Sequence, residues 1–142
     1  PDCLVIGLDK STTRLEKHVP NERSNYRLLR AECETAWVLL NEAGIRLHKH
    51  ILLYPNPWPK KSHIKRRVHG HPSFPILCLL GGQIELRTNW WLFAEEFKIA
   101  CELLGIQGST EILESEVPLT QFEIKFRARH EVIWKYKSWD NC

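Results

Sequence analysis

Apolar and polar positions along this chain fall into two kinds of block. Short apolar-rich runs occupy residues 3–8, 25–30, 48–54, 83–87, 109–117 and 132–136. Runs of that length bounded by turn residues predict strands, and the first reads as a strand buried on both faces. Segments of helical period lie between them. Ser11 or Thr12 can cap a helix running toward residue 18, broken by Pro20 and Asn21. Residues 34–43 predict a helix stopped by Gly44, and residues 74–80 a short one ended by Gly81-Gly82. Trp90, Phe93, Ala94, Phe97, Cys101 and Leu104 recur at helical spacing, so Asn89 is expected to cap an amphipathic helix ending at Gly105. Residues 120–129 read as a mixed polar segment.

Strands alternating with helices imply an α/β fold with a mainly parallel sheet covered on both faces. The 142 residues suffice for one domain with its own core. Ligands in such sheets bind at the carboxyl ends of the strands. Asp9, Glu32, Asn56 and Asn89 each follow a predicted strand, so all four are expected on one rim. The chain starts at Pro1 and enters a strand-like run at once, which reads as a piece of a longer chain cut inside a domain.

Composition sharpens this picture in three places. Hydrophobic residues make up 43% and charged residues 26%, and no run approaches the roughly 20 apolar residues of a membrane span. The net charge of +3 hides an asymmetry: no Asp or Glu lies between Glu42 and Glu85, an interval holding seven Lys and Arg. Charge gathered in one place points to an anionic partner. The five cysteines are odd in number, widely spaced and without a C-x-x-C pair, which implies buried thiols in a reducing, cytoplasmic setting.

The candidate chemistry concentrates after the third strand. Pro55, Pro57 and Pro59 end that strand and stiffen the turn. Between them Asn56 offers an amide, and Trp58 a flat face worth roughly 1–3 kcal/mol to a stacked base. Lys60, Lys61, His63, Lys65, Arg66 and Arg67 follow at once, matching a patch for backbone phosphates. Asp9 is placed either to hold the hydroxyls of a ribose or to cap a helix. Glu32 is placed either to accept from an adenine amino group or to act as a first-turn helix acid. His48-x-His50 and His69-Gly70-His71 have the look of metal pairs. No Cys or carboxylate lies near them in sequence, so we expect no metal.

Tyr54-Pro55-Asn56-Pro57-Trp58-Pro59-Lys60-Lys61, His63 and Lys65-Arg66-Arg67 resemble the signature of the bacterial tRNA (guanine-N7)-methyltransferases. Thr88-Asn89-Trp90 and Thr120-x-Phe122-Glu123 follow in the expected order. The resemblance runs from about Ile6 to Trp134. It implies a Rossmann-like class I methyltransferase fold with an antiparallel C-terminal strand. It also implies S-adenosylmethionine as cofactor and guanine N7 in tRNA as target. Carried over by position, Asp9 would hold the cofactor ribose and Glu32 would sit near its adenine. Asn56 would be the catalytic residue, also bordering the cofactor. Trp58, Lys60 and Asn89 would contact substrate, and Thr120, Phe122 and Glu123 would close over the site. The segment from Lys60 to Arg67 would touch RNA.

The chain departs from that pattern in four ways. The family's first strand and its glycine loop, which holds the methionine end of the cofactor, are not among these residues, so the chain alone is expected to bind cofactor poorly. Asn56 and Asn89 each stand where the family usually has Asp. Glu32 replaces another Asp. The glycine expected after Thr-x-Phe-Glu is missing around His130. Two other readings start from the same residues. Asn56-Pro57-Trp58 is similar to the Asn-Pro-Pro-aromatic turn of methyltransferases acting on amino groups. A protein that binds RNA without catalysis would need only the cations.

Overall fold

Strand β1 (Val5–Asp9) pairs in parallel with β2 (Tyr26–Arg30), Asp9 opposite Arg30. Helix α1 (Thr12–Glu16) links them, capped by Ser11, whose Oγ accepts from the Arg14 amide. Helix α2 (Cys33–Glu42) follows, and Gly44 takes the left-handed φ of 69° just beyond it, as the chain turns back. Strand β3 (Lys49–Leu53), helix α3 (Phe74–Leu79) and strand β4 (Gln83–Thr88) form a second parallel unit. Helix α4 (Trp91–Leu103), strand β5 (Gly108–Ile112), helix α5 (Gln121–Ala128) and strand β6 (Trp134–Ser138) complete the chain. The structure is a computed structural model and describes residues 3–20, 24–114 and 117–139.

The parallel strands and the antiparallel C-terminal strand are as expected, but the single sheet is not. Among the described residues β1 and β2 form one sheet and β3-β4-β6-β5 another, with β6 antiparallel to both its neighbours. This also corrects the reading of the first strand as buried: Val5 is 56% and Ile6 44% exposed. Apolar composition fixes which residues seek cover, not what covers them.

Strand β4 shows how the second sheet is built. Its side chains alternate between faces. Ile84 and Leu86 are fully buried with Phe93, Phe97 and Cys101 of α4, Leu77 and Leu80, and Tyr136 of β6. Glu85 and Arg87 point to the opposite face and are buried there as well. One face of the strand therefore supplies the apolar core. The other carries a charge network that reaches the candidate site.

Several boundaries move. Trp90, not Asn89, is the N-cap of α4, because the Thr88 Oγ1 accepts the Trp90 amide and Asn89 turns outward. The strand expected over 109–117 ends at Ile112, and residues 115 and 116 lie outside the described residues, as do Asn21 and Cys142. Residues 120–129, read only as a mixed polar segment, contain α5. Its signal was legible: Thr120 and Glu123 form the T-x-x-E spacing of a helix start, and Thr120 Oγ1 accepts the Glu123 amide at 3.2 Å. His130, near where the family carries glycine, follows α5 with φ 57°, the conformation glycine adopts most cheaply. Cys3 is exposed, against the expectation of a buried thiol, whereas Cys101 is buried and its thiol is pushed up to about 12 by desolvation.

Candidate functional site

The turn after β3 is strained at both ends. Tyr54 has φ 52° and Trp58 φ 43°, and neither is glycine. Each such residue costs on the order of 1–3 kcal/mol and persists only where its surroundings over-determine it. The three prolines fix the links between them. Asn56 lies exposed at the centre, and its Oδ1 accepts the Trp58 amide at 3.2 Å. Only the oxygen can accept from an N–H, so that bond leaves the Asn56 Nδ2 free to meet a ligand acceptor.

Two anchors hold this turn. The first is Tyr54, whose ring packs on Phe122 and Phe126 of α5 with centroids 5.8 and 5.3 Å away. Its hydroxyl is buried beside Glu123 without a well-formed hydrogen bond. Burial and that carboxylate hold the phenol well above the usual tyrosine range. The second is Arg67. Expected to touch RNA, it is 3% exposed. Its Nη1 reaches Glu96 at 2.5 Å, its Nε donates to the Trp58 carbonyl at 3.2 Å and its Nη2 to that of Pro59 at 3.4 Å. Glu96 in turn accepts from His69 Nε2 at 3.0 Å. Burial lowers the His69 pKa below the ordinary imidazole value, so at pH 7 the ring is neutral and donates from Nε2.

The remaining cations behave as a strip. Lys60, Lys61, Lys65 and Arg66 are exposed on and beside a 3-10 turn spanning Lys61–Arg66. A second 3-10 turn, Val68–Gly70, packs behind it; a Cβ on Gly70 would lie 2.5 Å from the Ile64 carbonyl oxygen, so no side chain fits there. Trp58 is half-buried. Arg66 lies over its ring at 5.1 Å, and His63 meets it edge-on at 5.5 Å. A base stacking on the face beneath Arg66 would therefore replace its guanidinium.

A chain of charges, buried apart from Lys49, runs from the start of β3 across β4 to α5. Lys49 of β3 pairs with Glu85 at 2.8 Å, Arg87 bonds Glu85 at 2.8 Å and Glu123 at 2.9 Å, and Glu123 also accepts the Leu119 amide at 2.7 Å. Glu123 is fully buried, so in this conformation it holds α5 to the sheet rather than facing a ligand. Desolvation opposes ionisation of Glu85, Glu96 and Glu123, but their cationic partners outweigh it and all three pKa values fall below the usual value of about 4.3. Groups depressed in the folded state stabilise it above their unfolded pKa and lose that contribution as pH falls through the folded one. His50 and His69, also lowered mainly by burial, add a loss beginning below about pH 6.5. Urea unfolding from pH 8 to pH 3 is therefore expected to show level stability above pH 7, a first decline below about 6.5 and a steeper one below about 4.3.

The other expected site residues form two groups. Asn89 follows β4 beside the end of β3, and its Nδ2 donates to Glu131 at 2.9 Å. Phe122, 41% exposed, packs on Tyr54, and Thr120 caps α5 by accepting the Glu123 amide. Asp9 and Glu32 lie at the carboxyl ends of β1 and β2. Asp9 accepts from Arg14 at 2.7 and 3.0 Å and from the Ser11 amide at 2.8 Å; its pKa is lowered chiefly by the Arg14 hydrogen bond. An ion pair this exposed is worth about 0–1 kcal/mol, so a ribose can displace Arg14. Glu32 is exposed at the start of α2 and makes no capping bond. The histidine pairs are used locally: His50 bonds the Gly81 carbonyl at 2.7 Å and His71 bonds Ser73 Oγ at 2.7 Å.

Paired parallel strands, helical crossovers and an antiparallel closing strand define the α/β fold of Rossmann-like class I methyltransferases. The solved structure of a "putative methyltransferase" from Thermoplasma acidophilum has this fold, with a TM-score of 0.59 at 12% identity over 96% of this chain and 57% of that one. The family model Methyltransf_4, described as "Putative methyltransferase", matches residues 1–136. A tRNA (guanine-N(7)-)-methyltransferase of Bacillus subtilis is 30% identical over 95% of this chain and 71% of that protein. Those of Nitrosococcus oceani and Bacillus cytotoxicus are 33% and 25% identical over 70% and 97% of this chain. The chain belongs to the tRNA (guanine-N7)-methyltransferase family. It spans 45% of the Nitrosococcus protein and 69% of the Bacillus cytotoxicus one.

Proposed function

We propose that this chain forms the guanine-presenting and tRNA-binding part of a cytoplasmic, S-adenosylmethionine-dependent methyltransferase acting on N7 of guanine in tRNA. One observation carries the reading: a strained turn holds the Asn56 amide exposed beside a strip of exposed cations. The strip neutralises phosphates and fixes register without reading sequence. The amide meets the base.

Guanine N7 carries a free lone pair, so no base is needed to remove a proton before transfer. Placing N7 in line with the methyl group does most of the work. Asn56 donates from Nδ2 to the base edge, and the Trp58 amide keeps that donor aimed. The adenosine half of S-adenosylmethionine fits Asp9 and Glu32, two carboxylates at adjacent strand ends: Asp9 for the ribose hydroxyls, Glu32 for the adenine amino group. When bound, the cofactor supplies an electrophilic methyl group. Asn89 and Thr120 border the base side, with Phe122 covering it.

The full-length protein, given unmodified tRNA and methyl-labelled cofactor, is expected to yield N7-methylguanosine on nuclease digestion. A methylated amino group, or RNA binding with no methyl transfer, overturns the reading. The strip has its own signature. Removing Lys60, Lys61, Lys65 and Arg66 one at a time to Ala is expected to flatten the salt dependence of tRNA binding by about one unit of log–log slope each. Filter binding between 50 and 200 mM salt measures it.

A further inference from the structure

We propose that Arg67 is a positioning residue that clamps the Asn56 turn to helix α4 and takes no part in RNA contact. The cation run places it beside Lys65 and Arg66, yet its side chain is 4% exposed while theirs are open to solvent. Each of its three guanidinium nitrogens is engaged: Nε with the Trp58 carbonyl, Nη2 with that of Pro59, and Nη1 with Glu96. Its Cζ lies over the Trp90 ring, 5.2 Å from the centroid, at the N-cap of α4. Glu96 sits nearly two turns further along α4 and is steadied by His69, whose ring packs edge-on against Phe93 at 4.8 Å.

The two carbonyls it holds belong to the residues directly after Asn56-Pro57. Trp58 is in the left-handed region, so its carbonyl direction is not one the free chain adopts readily. Trp58 also donates the amide that orients the Asn56 side chain. Loss of the guanidinium therefore releases the strained residue on which the Asn56 geometry depends. Lys cannot replace it, because one ammonium cannot span two carbonyls and a carboxylate in this planar arrangement. The consequence for turnover rests on the proposed function; the clamp itself does not.

The test uses the full-length protein and four variants: Arg67→Ala, Arg67→Lys, Glu96→Gln and Arg66→Ala. Amide hydrogen exchange reports the clamp without needing activity. Arg67→Ala is expected to speed exchange at the Trp58 and His63 amides at least tenfold, with β4 unchanged, and Glu96→Gln to do so to a smaller extent. In activity assays kcat for Arg67→Ala falls about 100-fold with the KM for tRNA within twofold of wild type. Millimolar guanidinium restores part of it, and Arg67→Lys stays impaired. Arg66→Ala shows the opposite pattern, weaker tRNA binding and a flatter salt slope. Unchanged exchange at Trp58 in both Arg67→Ala and Glu96→Gln overturns the proposal. So does a loss of tRNA affinity in Arg67→Ala matching that of Arg66→Ala. A wild-type protein that methylates no guanine defeats the proposed function instead, and the exchange data still decide the clamp. Should Arg67→Ala fail to fold, Glu96→Gln carries the same comparison.

Discussion

Arg87→Met is expected to lower the unfolding free energy by about 3–5 kcal/mol, the range found when one partner of a buried ion pair is removed. Arg87 joins two carboxylates, Glu85 at 2.8 Å and Glu123 at 2.9 Å, and Glu123 has no exposure to water. The substitution leaves Glu123 with the Leu119 amide and the Tyr54 hydroxyl as neighbours, neither of which balances its charge. For a domain whose total stability is about 5–15 kcal/mol this is a large fraction. Urea denaturation at pH 7 measures it. The double variant Arg87→Met/Glu123→Leu should recover part of the loss, because it removes the stranded charge together with its partner. A single variant within about 1 kcal/mol of wild type would mean that the network is not buried as described.

The second large effect concerns turnover. In the full-length protein Asn56→Ala is expected to reduce kcat by about 100-fold, because it removes the donor that aligns the base. Tm should hold, since Asn56 is exposed and bonds only its own turn. Asn56→Asp should raise turnover by about tenfold. Its carboxylate can still accept the Trp58 amide with one oxygen; the other gives up the Nδ2 donation but stabilises the positive charge that develops on guanine better than an amide does, which is the larger of the two effects. Equal turnover in all three proteins would remove Asn56 from the chemistry.

The parts of this site that could be read in the sequence are those fixed by local rules. Three prolines in five residues dictate a rigid turn whatever packs around it. The order of apolar runs and helical segments dictates strands with crossovers. What could not be read depends on partners distant in the chain. Arg67 looks like one more cation in a cationic run. Its burial follows from Glu96, 29 residues later, arriving beside it on α4. Asp9 reads as a ribose holder or a helix cap, and its pairing with Arg14, only five residues on, was a missed local contact. The charged face of β4 was hidden because Glu85 and Arg87 alternate with Ile84 and Leu86 as exposed polar residues would. Only the position of α5 shows that they are covered. Helix α5 itself was a missed local signal, since the Thr120–Glu123 spacing marks a helix start.

The most direct measurement is a structure of the full-length protein bound to tRNA. The account predicts a guanine edge about 3 Å from Asn56 Nδ2, phosphates along Lys60, Lys61, Lys65 and Arg66, and Arg67 still buried against Glu96. RNA seated on another face, with no base near Asn56, would contradict it.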